Sequence, residues 1–397
     1  MPTGNPLLVE IQERIRAVGA ISFCEFMDLA LYAPQGGYYN RPQMQIGRRG
    51  DFITSGSLTR DFAELLTEAF VQMWHALDCP QRFTLLEMGA GEGEFADVVL
   101  GYSQATYPDF FAALKYQIQE QSPSLRERQQ QRLARWGDRL SWQGAETPAE
   151  SIIGCIFSNE LIDAFPVHRL QWQGGNWQEI YVTLDKQGAF QEVLRPLRED
   201  RIHEYFATIG IDPQQQGYAD GYRTEVNLRL IPWLKDLSQR LEQGFVLTID
   251  YGYPAHQYYH PARCEGTLQC YYRHRRHNNP YSFVGEQDIT AHVDVTALTR
   301  YGEKFGLETL YITRQSLFLM ALGLGDRLLA QQQSNGHLLH ALNRHQSLHQ
   351  LIDPLGLGGF YVVLQGKQAT LKLPPLQEAD QVFRATQRGT SPRLLND

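Results

Sequence analysis

A glycine-rich turn joins an apolar run to an amphipathic pattern in the segment LLEMGAGEGEF, residues 85–95. Gly89, Gly91 and Gly93 stand at alternate positions, and Glu87 precedes them. An apolar run that ends in glycines and leads into a helical pattern is typical of the strand-to-helix turn in an α/β sheet. Because glycine lets the backbone approach a ligand closely, we expect a binding site at this turn.

Apolar runs and helical patterns continue to alternate along the chain. Further apolar runs are KYQIQ at residues 115–119, IIGCIF at residues 152–157 and FVLTID at residues 245–250. The segment SPSLRERQQQRLARW follows the first of these and opens with Ser-Pro, a frequent helix start. Strands that alternate with helices form a parallel sheet with both faces covered. The sequence therefore predicts an α/β fold with a Rossmann-like sheet.

Two other regions do not follow this alternation. Residues 7–31 carry apolar side chains at helical spacing and predict two short helices ahead of the sheet. Around Gly174 and Gly175 the pattern changes to period two, which indicates a β-hairpin inserted between about residues 167 and 196. A helical region is predicted after the hairpin, at residues 223–243, and a long polar and aromatic segment follows at residues 253–292.

These patterns predict how the chain is divided. A helical N-terminal extension occupies residues 1–80, and the sheet domain occupies residues 81–397. Insertions into that domain are expected at about residues 167–243 and 253–300. A run near the end of the chain, GGFYVVLQGK, is predicted to form the final strand.

The composition excludes several functional classes. The chain has 36 basic and 44 acidic residues, a net charge of −8, and therefore no general attraction to nucleic acid. The basic cluster RHRRH at Arg273–His277 is either a solvated loop or a local binding patch. Five scattered cysteines form no C-x-x-C pair, so we expect neither a disulfide framework nor a zinc knuckle. His292 and Asp294 have no further ligands at a suitable spacing, so no metal site is expected there either. No apolar run approaches the roughly 20 residues of a membrane span, and no signal peptide is recognisable, so we expect a cytoplasmic protein.

Acidic residues around the glycine turn distinguish two classes of ligand. A dinucleotide site requires a glycine where this chain has Glu94, and Glu92 with Glu94 would repel a pyrophosphate. S-adenosylmethionine instead carries a positive sulfonium and a positive ammonium, which carboxylates tolerate. Glu120 ends the next strand, where an acidic residue would accept hydrogen bonds from ribose hydroxyls. The pattern favours S-adenosylmethionine, and a tight turn without a ligand is the alternative.

Longer motifs resemble the MidA family of class I methyltransferases, which includes a mitochondrial factor needed for respiratory complex I assembly. The resemblance covers most of the chain. It rests on GYY, GDFITS, LLEMGAGEGEF, QEQSPSLRERQ, SNELIDAFPVHRL, LTIDYG and GTLQCYYRHRRHNNPYSFVGEQDITAHVDVTAL. It implies a class I methyltransferase sheet with an antiparallel final strand, S-adenosylmethionine as the cofactor and a protein arginine as the methyl acceptor. Ala90 and Glu92 depart from the proline and arginine that are usual in the family's glycine turn.

The expected cofactor-binding residues come from these motifs. GDFITS is expected to close over the methionine end of the cofactor, and Glu120 to bind its ribose. The full set is Gly50, Asp51, Thr54, Glu87, Gly89, Gly91, Gly93, Glu120 and Asn159.

Candidate catalytic residues follow the strand IIGCIF and lie in a late motif. Glu160 and Asp163 are three residues apart, and two carboxylates would hold a planar guanidinium through bidentate hydrogen bonds. In the alternative reading, Asn159 and Glu160 cap the next helix and Asp163 pairs with an arginine. His292 and Asp294 share one face of an extended segment. They are candidates for a base and the group that orients it, or for hydrogen bonds to the substrate backbone.

The sequence thus predicts a methyltransferase that acts on an arginine of a protein, such as a respiratory NDH-type complex subunit during assembly. Two alternatives are a non-catalytic assembly factor that binds S-adenosylmethionine and a nucleotide-binding oxidoreductase. We expect no nucleic-acid partner, and the aromatic insertion suggests a contact in a homodimer.

Overall fold

A computed structural model of the chain describes residues 5–41, 60–144, 150–197, 200–332 and 338–372. The strands are β1 Ile21–Ser22, β2 Phe83–Met88, β3 Leu114–Gln119, β4 Leu140–Gln143, β5 Ile152–Asn159, β6 His168–Gln173, β7 Asn176–Leu184, β8 Phe190–Pro196, β9 Arg223–Val226, β10 Leu241–Asp250, β11 Gly252–Tyr253, β12 Gln269–Tyr272, β13 Arg275–His277, β14 Asp288–Thr290, β15 Val293–Asp294, β16 Glu308–Arg314 and β17 Tyr361–Lys367. The α-helices are α1 Pro6–Val18, α2 Phe23–Tyr32, α3 Arg60–Ala76, α4 Glu94–Thr106, α5 Pro108–Ala113, α6 Pro123–Leu133, α7 Asp200–Ile209, α8 Leu230–Arg240, α9 Ala255–Tyr258, α10 Val295–Lys304, α11 Gln315–Ala321, α12 Leu324–Gln332 and α13 Leu338–Ile352.

The main sheet has seven strands in the order β16-β17-β10-β5-β2-β3-β4. The five strands from β10 to β4 are parallel to one another. Strand β17 is antiparallel to both β10 and β16, which confirms the expected orientation of the final strand. The predicted α/β fold with a Rossmann-like methyltransferase sheet is therefore confirmed.

Helices cover both faces of this sheet, as its continuous apolar runs require. Every residue of β2 is buried. Leu85 points into a core with α3 and α4, where the Phe95 and Phe157 rings stack 4.9 Å apart. Leu86, one position on, points to the opposite face and a second core that includes α8 and α10. Within the described part of the chain, no helix has the length and apolar character needed to cross a membrane.

A second, antiparallel sheet contains the inserted hairpin and connects it to the N-terminal extension. Strands β6 and β7 form the hairpin, and Gly174 and Gly175 have φ angles of 59° and 77° at its turn, as type I′ geometry requires. Strand β8 pairs with β7 on one side. The extension adds β1 to the same sheet, through Ile21 opposite Val182, and packs α1 and α2 against it. The exact division into residues 1–80 and 81–397 stays a prediction.

The prediction of a helical region at residues 223–243 is partly wrong. The region starts as strand β9, which pairs with β6 and extends the second sheet. Helix α8 spans only Leu230–Arg240, and β10 already begins at Leu241. The pairing of β9 with a strand more than fifty positions earlier is a non-local contact, which local sequence pattern does not reveal. The polar segment that follows also contains structure, a three-stranded sheet in the order β13-β12-β14.

Candidate active site

A cavity of about 720 Å³ opens at the carboxyl ends of β2, β3 and β5. This is the edge of an open α/β sheet where ligands bind. One wall is formed by the turns that follow these three strands, and the other by α2, residues 32–40 and the start of α8. The cavity is large enough for a nucleoside-sized ligand and an acceptor side chain together.

The glycine turn has the geometry that its sequence predicted. Gly89, Gly91 and Gly93 have φ angles of 74°, 52° and 77°, a region that residues with a Cβ atom rarely adopt. A Cβ atom on Gly89 would lie 2.9 Å from Cδ1 of Leu161, so the turn also packs directly against the segment after β5. Gly89 and Gly91 border the cavity with their backbone, which leaves room for a ligand.

Glu87 borders the cavity from beneath this turn. The Tyr116 hydroxyl donates a hydrogen bond of 2.7 Å to its Oε2 atom. Burial raises the pKa of Glu87 to about 7, and Glu120 adds to the increase, while the bond from Tyr116 opposes it. A carboxyl group with such a pKa ionises more readily when a cationic ligand is near.

We expect Glu87→Gln to stabilise the protein without ligand at neutral pH. Because the pKa of Glu87 is higher in the folded state, its protonated form stabilises the folded protein below about pH 4.5, the ordinary pKa of a glutamate. This stabilisation is lost as the pH rises to about 7. Glutamine does not ionise, so the variant should gain on the order of 3 kcal/mol over wild type across this window. Urea unfolding of both proteins from pH 4.5 to 8 measures the difference, and parallel pH curves would contradict it.

Glu120 stands at the end of β3, where the ribose-binding acid was expected. Its Oε1 atom accepts from the Ser122 backbone N–H at 2.9 Å, and its Oε2 atom accepts from Nε2 of Gln129 at 3.1 Å. Gln129 also donates to the Gly91 carbonyl at 2.8 Å and so joins Glu120 to the glycine turn. The sequence showed Gln129 only as part of a glutamine-rich patch, since nothing local marks a bridging amide.

Glu92 and Glu94, the two acidic residues at the glycine turn, each form an ion pair. Arg128 lies 2.7 Å from Glu92, and Arg132 lies 3.4 Å from Glu94. These ion pairs reduce the negative charge with which the turn would repel a pyrophosphate. The fit to S-adenosylmethionine rests instead on Glu120, whose carboxylate borders the cavity beside a glycine turn open to a ligand.

The segment after β5 brings Asn159 and Glu160 to the cavity. Glu160 has a φ angle of 49°, which is unusual for a residue with a side chain, and its N–H donates to the Ile249 carbonyl at 2.9 Å. The Asn159 amide donates to Oε1 of Glu160 at 3.1 Å. Strained backbone of this kind is concentrated at functional sites, where the surrounding structure holds it in place.

Asp163 does not form the predicted clamp with Glu160. It is absent from the described residues that border the cavity, and its Oδ2 atom accepts from the Tyr251 hydroxyl at 2.6 Å. Burial raises its pKa to about 6. The alternative reading is also wrong, because the one-turn helix Ile162–Ala164 begins without a side-chain cap and Asp163 bonds to a tyrosine.

Asp250 positions this segment and was not predicted. Its Oδ2 atom accepts from the backbone N–H groups of Ile162 and Asp163 at 3.0 and 3.3 Å. Burial raises its pKa, and the neighbouring carboxylates of Asp163 and Glu160 add to the increase. The sequence did contain one indication of this role. Asp250 is an acidic residue at the end of the strand FVLTID, as Glu87 and Glu120 are at the ends of β2 and β3.

His292 and Asp294 are not joined as a base and its orienting group. Asp294 caps α10 by accepting from the N–H groups of Thr296 and Ala297 at 2.9 and 3.1 Å, and the Tyr205 hydroxyl donates to its other oxygen at 3.0 Å. Burial raises the pKa of Asp294 to about 6. The His292 ring stacks on Tyr253 at 5.1 Å, and burial lowers its pKa to about 4, so the ring is neutral at pH 7.

Three predicted cofactor residues, Gly50, Asp51 and Thr54, lie outside the described residues. Among those described, no group of three His, Cys, Asp or Glu side chains is arranged to hold a metal ion. The cavity is also bordered by residues that the sequence did not indicate as site residues. They are Asp28, Tyr32, Pro34, Tyr39, Asn40, Phe165, Pro166, Arg229 and Trp233. Tyr39 lies in the GYY motif, and Phe165 and Pro166 lie in SNELIDAFPVHRL, but the others come from separate regions that only the fold brings together.

Comparisons with known proteins agree with this geometry. A family model described as "Putative S-adenosyl-L-methionine-dependent methyltransferase" matches residues 65–313. The chain is 26% identical over 385 residues to "Protein arginine methyltransferase NDUFAF7 homolog, mitochondrial" of Drosophila melanogaster, covering 89% of this chain and 82% of that protein. It is 25% identical over 351 residues to "Protein arginine methyltransferase NDUFAF7, mitochondrial" of Homo sapiens, covering 82% and 75%.

A solved structure extends the likeness to three dimensions. It is a COG1565 superfamily member from Burkholderia thailandensis bound to S-adenosyl-homocysteine. The two chains are 30% identical, superpose with a TM-score of 0.85, and match over 96% of each. The ligand in that crystal is the demethylated form of S-adenosylmethionine.

Proposed function

Because this chain belongs to the family of S-adenosyl-L-methionine-dependent methyltransferases, we propose that it methylates an arginine side chain of a protein. The observation that carries the proposal is the position of Glu160, which borders the same cavity as the glycine turn. The names of the fly and human relatives, both arginine methyltransferases, support the same acceptor.

Bound S-adenosylmethionine supplies an electrophilic methyl group, and the protein has to present a nitrogen to it. A guanidinium is always protonated in proteins, and its charge is delocalised over three nitrogens. A carboxylate that accepts hydrogen bonds from one side of the guanidinium draws the charge toward that side. The opposite nitrogen then has more electron density available to attack the methyl carbon. The carbon–sulfur bond would break as the new carbon–nitrogen bond forms, S-adenosyl-homocysteine would leave as the neutral thioether, and the methylated nitrogen would release one proton to solvent.

Glu160 is held in place for this role. The Asn159 amide binds one of its oxygens, and the strained backbone at Glu160 is tied to β10 through the Ile249 carbonyl. Asp250 binds the two backbone N–H groups just beyond, so the turn is fixed on both sides of Glu160. A carboxylate fixed in advance loses little entropy when it binds the acceptor.

Apolar side chains border the same cavity on the side next to α2 and α8, which we assign to the acceptor. The Phe165 and Trp233 rings meet edge to face at 5.8 Å, and Pro166 borders the cavity beside them. Such walls suit the methylene stem of an arginine and exclude water from the charged group at its end. From the family resemblance, we further propose that the acceptor is a subunit of a respiratory NDH-type complex during assembly. A cytoplasmic location and a homodimer are separate proposals, which come from the sequence pattern and from the aromatic insertion.

Mass spectrometry with a cofactor labelled in its methyl group tests the acceptor. Candidate acceptor proteins are incubated with the enzyme and labelled S-adenosylmethionine, and their peptides are fragmented to locate the label. We expect labelled methyl groups on arginine with wild-type enzyme, and labelling that is slower by at least about one to two orders of magnitude with Glu160→Gln. Label on lysine, on a carboxylate or on a small molecule would contradict an arginine acceptor.

A further inference from the structure

An ion pair stands on the acceptor side of the cavity and is not used by the chemistry above. Asp28 lies on α2, Arg229 immediately precedes α8, and both border the cavity. The Arg229 Nη2 atom lies 3.0 Å from Oδ2 of Asp28. The two side chains are 49% and 37% exposed, so they stand where solvent and a protein acceptor both have access.

Contacts on the same two elements connect this pair to the segment that carries Glu160. Tyr32, one helical turn after Asp28, donates to the Ala164 carbonyl at 2.8 Å. Burial raises the pKa of Tyr32, the charge of Asp28 adds to the increase, and that of Arg229 opposes it. Trp233, one turn after Arg229, packs on Phe165. The ion pair, the aromatic wall and Glu160 therefore belong to one continuous surface.

We infer that Asp28 is a binding subsite for a cationic acceptor side chain, and that Arg229 occupies it as an internal substitute when no acceptor is bound. This inference rests on the proposed function. The guanidinium of an incoming acceptor would replace the guanidinium of Arg229, so Asp28 would exchange one cationic partner for another. Exposed ion pairs are weak and are screened by salt, so exchanging the partner costs little.

A binding subsite and a structural tether between α2 and α8 predict different changes in acceptor affinity. If the pair only tethers the two elements, removal of either partner breaks it and both variants weaken acceptor binding. If Arg229 competes with the acceptor, removal of its charge strengthens binding, whereas removal of the Asp28 charge weakens it. The two single variants thus give opposite changes for a subsite and changes of the same direction for a tether.

The experiment measures binding of N-acetyl-L-arginine methylamide to the full chain loaded with S-adenosyl-homocysteine, by NMR titration at low salt. The citrulline analogue is the neutral probe of nearly the same shape. Asp28→Asn and Arg229→Met remove each charge and keep most of each side chain. Glu25→Gln and Arg14→Met are matched controls, because that pair joins α2 to α1 with exposures of 35% and 55% and does not border the cavity in the described chain.

We expect Asp28→Asn to weaken arginine binding and Arg229→Met to strengthen it, each by about two- to five-fold, as befits an exposed pair. The controls and the citrulline analogue should show neither change. Changes of the same direction in both variants, no change in either, or no binding of the cationic probe by wild type would overturn the subsite. Arginine binding without labelled methylarginine in acceptor proteins would instead contradict the proposed function and leave the subsite standing.

Discussion

Glu160→Gln should lower the rate of methyl transfer by at least about one to two orders of magnitude, with cofactor affinity and melting temperature close to wild type. Glutamine keeps the shape of the side chain and can still accept the bond from Asn159 at 3.1 Å. It loses the charge, and a hydrogen bond to a charged partner contributes about 1.5–3 kcal/mol. Each loss of about 1.4 kcal/mol of transition-state stabilisation slows the reaction tenfold.

The rate, the cofactor affinity and the melting temperature should be measured on the same preparation. Glu94→Gln is the matched control, because Glu94 also borders the cavity but stands on the helix after the glycine turn. Asp163→Asn should slow transfer less than Glu160→Gln, because Asp163 contacts Tyr251 instead of the cavity. Transfer at the wild-type rate by Glu160→Gln would show that Glu160 has no catalytic role. A lowered melting temperature with surviving activity would show a structural role instead.

Glu120→Gln should weaken the binding of S-adenosyl-homocysteine by about ten- to a hundred-fold. A carboxylate accepts hydrogen bonds from two ribose hydroxyls, whereas an amide offers a single oxygen and directs its N–H₂ group at the other hydroxyl. Losing one charged hydrogen bond of about 1.5–3 kcal/mol accounts for a change of this size. Isothermal titration calorimetry measures the affinity directly.

Glu127→Gln is the control for this variant, because Glu127 lies on the adjoining helix α6 and is exposed to solvent. It should bind the ligand as wild type does. If Glu120→Gln binds with unchanged affinity, Glu120 does not hold the ribose, and the carboxylate serves only its bonds to Ser122 and Gln129.

The sequence was sufficient for those features that depend on local pattern. Continuous apolar runs with helical segments between them predicted a parallel sheet covered on both faces, since the periods of strands and helices are properties of neighbouring residues. The positive φ angles at Gly89, Gly91 and Gly93 also follow from residue type, because glycine has no Cβ atom to oppose them. The ligand edge of the sheet and the acid at Glu120 were placed by the same reasoning.

Only the tertiary structure decided where the remaining side chains point. Glu160 and Asp163 are three residues apart, yet the left-handed backbone at Glu160 brings one to the cavity, while the other bonds to Tyr251, 88 positions away in the sequence. Asp294 was drawn into capping α10. The Asp28–Arg229 pair joins residues about two hundred positions apart. The direction in which these side chains point depends on backbone strain and on packing between distant parts of the chain. Neither produces a periodic pattern in the sequence.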